Sequence, residues 1–257
     1  MHMNGPMKMS QSDRLELCRE IADRLREVYE DRLLAIGVYG SVSRGTDGPY
    51  SDIEMFCVLR DTNEPVDYCY EWSAGPWKAE VDVCSASVLL QSAAEVEGSW
   101  PLTHGPYFAP LSLYDPEGFF PRLRQAAESP TKEDFRAAVN EVLVGEMYEY
   151  VGKLRNAKRN GSLTYLPYLA VQFAHYGAML VGLHNRHLYT TGAQVLPEAL
   201  ALPDRPRGFD SVARLVMSGD LADPPAVAAA CEAFWSGLED WAAEHGYTIH
   251  AQQRMPF

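Results

Sequence analysis

Residues 40–54 read Gly40-Ser41-Val42-Ser43-Arg44-Gly45-Thr46-Asp47-Gly48-Pro49-Tyr50-Ser51-Asp52-Ile53-Glu54, and these types suit the handling of phosphate and of a cation. A Gly-Ser turn leaving a strand offers backbone N–H groups and a hydroxyl to phosphate oxygens, and Arg44 adds a planar cation that can bind phosphate in a bidentate way. Asp52 and Glu54 lie two apart, so on a strand they project from one face and can share a hard divalent cation. Two carboxylates held together without a cation repel, so an ion is expected. Each piece alone is commonplace, and two acids two apart are ordinarily a solvated strand face. Here a strand-like run, a Gly-Ser, a polar loop and an acid pair leading into Met55-Phe56-Cys57-Val58-Leu59 follow in order, with a third acid, Glu80, on a nearby run.

The elements that must hold these residues follow from periodicity. From Ser10 to Asp31 the apolar residues Leu15, Cys18, Ala22, Leu25 and Tyr29 recur at three and four, the pattern of an amphipathic helix capped by Ser10. Leu33–Tyr39 and Ile53–Leu59 are short apolar runs that read as strands, with residues 42–51 as the working loop between them. Lys78–Cys84 alternates, putting Lys78, Glu80 and Asp82 on one face and Ala79, Val81 and Val83 on the other, and a fourth strand is expected over Tyr107–Tyr114. After Pro130 the pattern turns helical. Thr131-Lys132-Glu133-Asp134 resembles a capping box and opens a long helix through Val139, Leu143, Met147, Tyr150 and Leu154. Further helices are expected over Tyr168–Arg186, Phe209–Met217 and Pro225–His245. The expected fold is an α/β domain over residues 1–129, a mixed sheet flanked by helices, followed by an all-α helical bundle over 130–257.

Composition narrows the partners. The 257 residues carry 22 Lys plus Arg against 35 Asp plus Glu, a formal net charge of -13. That balance argues against nucleic acid, whose phosphates are met mainly by Lys and Arg, and would draw in a polycationic small molecule. Cys18, Cys57, Cys69, Cys84 and Cys231 form no CxxC pair; an odd, scattered set suits free thiols in a reducing cytoplasm. The longest apolar stretch, Tyr165–Leu183, is interrupted by Pro167, Gln172 and His175, so no membrane span and no signal peptide are expected, and the cytoplasm is the expected compartment. Met1, His2 and Met3 read as a cloning remnant.

A second group of candidates lies in the helical half. Glu149 and Lys153, at i and i+4, could be an ordinary surface ion pair. On a wheel of about 100° per residue they instead flank the apolar arc of Leu143, Met147, Tyr150 and Leu154, with Glu146 closer still, and acids at the margin of a buried stripe can line a cleft. His104, in a tight turn, reads as structural, as do His175 and His184 within an apolar helical pattern and Trp235 and Trp241 on an amphipathic one. Glu64, Asp67 and Glu71 sit in a Pro-containing loop before Trp72 and would ordinarily be solvated; of the three, Glu71 is the candidate for holding ammonium groups.

In these residues the chain resembles the polymerase-beta-like nucleotidyltransferase superfamily, marked by a Gly-Ser, a hydrophobic-flanked acid pair and a later third acid. Within it the sequence is similar to the kanamycin nucleotidyltransferase family of aminoglycoside 4′-O-nucleotidyltransferases. The likeness runs through Ile36-Gly37-Val38-Tyr39-Gly40-Ser41, Thr46 to Met55, Trp100-Pro101-Leu102-Thr103-His104-Gly105, Glu149-Tyr150, Gly152-Lys153, Arg155-Asn156, Gly177-Ala178-Met179-Leu180, Tyr189-Thr190-Thr191 and Pro256-Phe257. The resemblance implies transfer of AMP from Mg-ATP, or of another nucleotide from its triphosphate, to the 4′-hydroxyl of aminoglycosides such as kanamycin, tobramycin and amikacin, releasing pyrophosphate and conferring antibiotic resistance. It implies Asp52 and Glu54 as ligands of Mg²⁺, with two ions in each site. Ser41, Arg44 and Ser51 would contact the triphosphate, and Lys78, Lys153 and Thr191 the nucleotide. Glu149 would be the general base, and Glu71, Glu80, Glu146 and Glu149 would meet the aminoglycoside. A homodimer with active sites shared between subunits is implied as well. The chain departs from the family at Gly145-Glu146, where two successive acids are expected, and in a longer loop before Glu71; both lie on the acceptor side. A nucleotidyltransferase acting on protein or RNA, or a non-catalytic nucleotide-sensing scaffold, would share the motif; the lack of basic stretches disfavours RNA, and the joint retention of Asp52, Glu54, Glu80 and Glu149 disfavours a scaffold.

Overall fold

A computed structural model describes residues 5–75, 77–250 and 254–255. The readings of Met1, His2, Met3 and of the terminal Pro256-Phe257 lie outside the described residues. The chain forms two compact units. One runs to Glu95 and includes His104–Pro130; the other joins Val96–Thr103 to the chain from Thr131 onward.

The first unit begins with α1 (Gln11–Tyr29), whose N-cap Ser10 accepts from Asp13 N–H. Then follow β1 (Leu33–Val38), the single helical turn α2 (Gly40–Arg44), β2 (Ile53–Leu59), β3 (Asp67–Ser73), β4 (Lys78–Ser85) and α3 (Ala86–Ala94). After α4 (Trp100–Thr103), which belongs to the second unit, come α5 (Gly105–Phe108), β5 (Leu111–Tyr114) and α6 (Phe119–Ala127). The five strands form one sheet in the order β3-β4-β2-β1-β5, with β2 and β4 parallel and the other neighbours antiparallel.

Strand alternation decides what covers each face. Ile53, Met55, Cys57 and Leu59 of β2 and Ala79, Val81 and Val83 of β4 pack beneath the buried stripe of α1, Cys18, Ala22, Leu25 and Tyr29. The opposite face is divided. Phe56, Val58 and Cys84 lie under Leu89 and Ala93 of α3 and Phe119, Phe120 and Leu123 of α6; the other end of the same face carries Asp52, Glu54, Lys78, Glu80 and Asp82, which are only half-buried. Gly37 is required on this face, because a Cβ there would stand 2.6 Å from Cζ of Phe120.

Several expectations change. Residues 67–73 are a strand and not a loop; as the sheet edge β3 is exposed almost throughout, so no apolar alternation betrays it, and its Tyr-Cys-Tyr-Glu-Trp composition is the remaining signal. The strand expected over 107–114 is confined to its last four residues, because Pro106 starts the helical turn α5. Residues 86–94, 119–127 and 195–201 are short helices that the periodicity reading passed over.

The second unit contains α7 (Lys132–Val142), α8 (Tyr148–Asn160), α9 (Leu166–Asn185), α10 (Val195–Ala201), α11 (Phe209–Ser218) and α12 (Pro224–His245). The capping box is present: Thr131 Oγ1 accepts from Asp134 N–H, and Asp134 accepts from Thr131 N–H. The long helix expected after Pro130 is broken in register by a π-turn at Leu143–Met147. The extra residue rotates everything beyond it, so Val151, and not Tyr150, joins Leu154 and Ala157 in the buried stripe.

Helix α9 is the centre of this unit and touches α4, α7, α8, α10, α11 and α12. The stretch Leu163–Asn185, which includes α9, is by length and composition apolar enough to cross a membrane, yet 67% of its 18-residue apolar window is buried, as in a core helix. At Gly177 a Cβ would meet the rings of Phe234 at 2.7 Å and Phe209 at 2.9 Å, so the absence of a side chain sets how closely α11 and α12 approach. Gly177→Val is expected to destabilise the protein by about 1–3 kcal/mol through overpacking, whereas Gly152→Ala, with open space around the new Cβ, should gain about 0.5–1 kcal/mol. Urea denaturation of the two variants checks the contrast.

Candidate active site

The acid pair sits at the uncovered end of the sheet face. Register places Glu54 of β2 opposite Glu80 of β4, and Glu80 opposite Glu71 of β3, so three glutamates form one row across three strands. Asp52 stands one step earlier. Lys78, on the same face, bridges them: its Nζ is 2.7 Å from Glu71, 3.6 Å from Asp52 and 4.0 Å from Glu80. The hydrogen bond from Lys78 to Glu71 and the neighbouring carboxylates raise the Lys78 pKa above the usual lysine value.

Glu54 is held against the Gly-Ser turn. Tyr39 N–H donates to the Glu54 carbonyl at 2.9 Å, and Gly40 adopts φ +69 with the Glu54 carboxylate lying where its Cβ would be. Any other residue at 40 would be strained and would displace that carboxylate. Burial first, and then the charges of Asp52 and Glu80, push the Glu54 pKa up to about 7, against the opposing pull of Arg44 and Lys78. Tyr39 turns its hydroxyl onto the same face, toward Asp82 at 2.7 Å and Glu80 at 3.2 Å, as a donor, and stacks on Phe56 with ring centroids 4.3 Å apart.

The loop 46–51 is fixed from beneath by Arg14, a residue that the sequence reading did not single out. Its guanidinium pairs with Asp47, both side chains being buried, and donates to the carbonyls of Ser51 at 3.1 Å, Gly48 at 3.2 Å and Pro49 at 3.4 Å. The signal was available, since Arg14 lies four residues before Cys18 on the buried stripe of α1. The Ser51 hydroxyl accepts from Gly48 N–H at 2.9 Å, and Ser41 contributes its carbonyl to Thr46 N–H at 3.0 Å. A cleft of about 480 Å³ opens beside this loop, lined by Met9, Arg14, Tyr50, Asp52, Trp77 and Lys78.

The donor set fits a hard divalent cation. Asp52, Glu54 and Glu80 offer oxygen ligands only, they converge on one end of one sheet face, and Glu54, its pKa raised by burial and then by the charges of Asp52 and Glu80, is a carboxylate whose ionised form a cation would favour. Asp82, two residues beyond Glu80 on the same face of β4 and hydrogen-bonded to Tyr39, is an acid that was assigned no role from sequence.

The first unit therefore brings together Ser41, Arg44, Ser51, Asp52, Glu54, Glu71, Lys78 and Glu80. His104 is buried, packs edge-on to Tyr107 and faces the Ser92 carbonyl through Nε2 at 3.1 Å, a structural placement. Glu149, Lys153, Glu146 and Thr191 belong to the second unit. Glu149 is exposed and pairs with Lys153 at 2.5 Å; Lys153 also lies 4.9 Å above the Tyr150 ring. Glu146 is carried by the π-turn and is half-buried. Burial, and then the Glu146 charge, push the Tyr176 pKa up to about 12. Thr191 precedes the 3-10 turn at 192–194 and is half-buried.

The family model described as the KNTase C-terminal domain matches residues 117–248. Along 255 residues, 99% of this chain and 100% of the relative, the sequence is 45% identical to an aminoglycoside nucleotidyltransferase (4') of Staphylococcus aureus. The chain belongs to the aminoglycoside nucleotidyltransferase (4') family. A family member from a Bacillus species matches with the same identity and coverage. The fold is similar, at TM-score 0.56 and 9% identity, to a crystal structure of a nucleotidyltransferase-like protein from Exiguobacterium sibiricum, over 93% of this chain and 81% of that one. Family membership and fold thus agree with the resemblance carried by residues 36–55.

Arg14→Met should leave Asp47 as an unpaired buried charge and destabilise the protein by about 3–5 kcal/mol. Arg14→Met combined with Asp47→Leu is expected to recover most of that loss, a comparison that denaturant titration of both variants measures.

Proposed function

We propose that the chain transfers AMP from Mg-ATP to the 4′-hydroxyl of aminoglycosides such as kanamycin, tobramycin and amikacin, releasing pyrophosphate, and that this activity confers resistance. The observation that carries this reading is the row of Glu54, Glu80 and Glu71 with Asp52 beside the Gly40-Ser41 turn, in a chain alike over its full length to aminoglycoside nucleotidyltransferases (4'). The acidic balance of the chain is a second support, because such acceptors carry several ammonium groups.

Asp52 and Glu54 would hold Mg²⁺, two ions in each site, with Glu80 adjoining. Bound there, Mg²⁺ supplies charge neutralisation of the triphosphate and of the transition state. Ser41, Arg44 and Ser51 orient the triphosphate, and Lys78, Lys153 and Thr191 meet the nucleotide. Glu71, Glu80 and Glu146 hold ammonium groups of the acceptor. Glu149 takes the hydroxyl proton as the acceptor oxygen bonds to the α-phosphorus and the bond from that phosphorus to the bridging oxygen breaks, so pyrophosphate leaves. The metal and triphosphate contacts lie in the first unit and the base, Lys153 and Thr191 in the second, an arrangement that fits a homodimer in which each reaction centre draws on both subunits. The stacked and partly exposed Tyr165 and Tyr168 offer apolar surface for such association.

Pyrophosphate release is expected with ATP, Mg²⁺ and kanamycin or tobramycin, and not without acceptor; release that ignores the aminoglycoside would point to another acceptor. Chelation of the metal and Asp52→Asn should each abolish turnover in a folded protein. Glu149→Gln keeps the shape of the side chain but cannot take the proton, so kcat should fall roughly 10²- to 10⁴-fold while ATP binding persists. If Glu149→Gln retains most of its kcat while Glu146→Gln does not, the base is misassigned. Mixing inactive Glu80→Gln and Glu149→Gln subunits should restore part of the activity, and a monomer by light scattering under assay conditions would overturn the shared site.

A further inference from the structure

The second unit contains a cluster that the proposed reaction does not use. His184, in the last turn of α9, His245, at the end of α12, and Asp204, between α10 and α11, converge so that their ligand atoms all lie within 4.8 Å of one another. Both imidazoles present Nε2 to the same carboxylate oxygen: Asp204 Oδ2 is 3.0 Å from His184 and 3.3 Å from His245. Three segments far apart in sequence thus bring two ring nitrogens and one oxygen to a point.

We propose that His184, Asp204 and His245 form a binding site for a divalent transition metal of the Zn²⁺ class, separate from the Mg²⁺ chemistry of the first unit. A tetrahedral ion with bonds of about 2.0–2.1 Å places neighbouring ligand atoms roughly 3.3 Å apart, which is the spacing of the two histidine nitrogens from Asp204 Oδ2. The donor set matches as well: imidazole nitrogen with a single carboxylate suits Zn²⁺, Co²⁺ or Cu²⁺ better than Mg²⁺.

Groups behind the ligands are those that orient metal-binding side chains. Trp241 Nε1–H donates to Asp204 Oδ1 at 2.8 Å, which leaves Oδ2 for the ion. The Tyr247 hydroxyl lies 2.8 Å from His184 Nδ1 and fixes that ring with Nε2 turned inward. The site is not sealed, for the Asp204 side chain is 38% exposed, so a further ligand can enter. Beside His184 a cavity of about 360 Å³ is lined by Lys132, Arg136 and Arg186, and these cations favour an anion, such as chloride or hydroxide, in the remaining position.

The test uses the full chain with Cys69→Ser as background, since Cys69 with Glu80 and Asp82 is a competing donor group, and saturating Mg²⁺ to occupy the acidic row. Titration with Co²⁺ should give one bound equivalent, retained through gel filtration, with the intense visible bands of a low-coordinate ion. His184→Gln and His245→Gln should each weaken binding at least about tenfold. In the Cys69→Ser background with both histidines intact, ¹H–¹⁵N spectra should show the ring nitrogens of His184 and His245 moving on addition of Zn²⁺, a readout that holds even if a histidine variant fails to fold. Absence of stoichiometric binding, unchanged binding in folded histidine variants, or ring signals indifferent to Zn²⁺ would each overturn the site and leave a hydrogen-bonded cluster.

Discussion

Mutual repulsion among Asp52, Glu54 and Glu80 is the constraint around which the first unit is built. Three carboxylates on neighbouring positions of one sheet face disfavour the folded chain unless their charge is offset, and at Glu54 this repulsion adds to burial in raising the pKa. Each surrounding feature manages that repulsion. Lys78 spreads one positive charge over Glu71, Asp52 and Glu80, and Tyr39 donates its hydroxyl to Asp82 and Glu80. Gly40 gives up a side chain so that the Glu54 carboxylate can sit against the backbone. Neutral residues in this row would carry no such repulsion, so Lys78 and Tyr39 offset a cost that the acids themselves impose.

Rigidity comes from below the sheet, where Arg14 replaces what would otherwise be loose solvent contacts of loop 46–51. A buried guanidinium satisfying one carboxylate and three carbonyls commits the loop to a single conformation. The apolar face beneath α1 meanwhile anchors β2 and β4, so that Asp52, Glu54 and Glu80 inherit their spacing from strand register. Loop, turn and strands thereby bring Ser41, Arg44 and Ser51 together with Asp52, Glu54 and Glu80 at one end of the sheet face.

Much of this was legible in the sequence because it follows local rules. The span of β2 and the alternation of β4 were readable from two-residue periodicity, and the capping box from Thr131 and Asp134. What stayed hidden depended on context. β3 is a strand because β4 offers it a free edge, a fact that no local pattern encodes. The place of Arg14 on the buried stripe of α1 was readable, but its partner Asp47, 33 residues away in sequence, was not. The π-turn at Leu143–Met147 breaks the 3.6-residue assumption behind a helical wheel, and so Tyr150 was placed in a stripe that Val151 occupies. The same rotation leaves Glu149 more exposed than the wheel implied.

That rotation bears on where acceptor selectivity would reside. Of the two places where the resemblance to the family weakens, Gly145-Glu146 falls on the π-turn and the segment before Glu71 leads into the edge strand β3. Regular elements fix side chains by register, and altering them would disturb the acid row. A π-turn and the loop leading into an edge strand tolerate change in length and side chain without propagating it into the core. At the π-turn, Glu146 is brought beside Tyr176 while no atom stands within 4 Å of a Cβ at Gly145, so the space a second acid would occupy is open. On the proposed reading, the metal and triphosphate contacts are thus tied to the sheet, and room for variation in the acceptor lies where the backbone can absorb it.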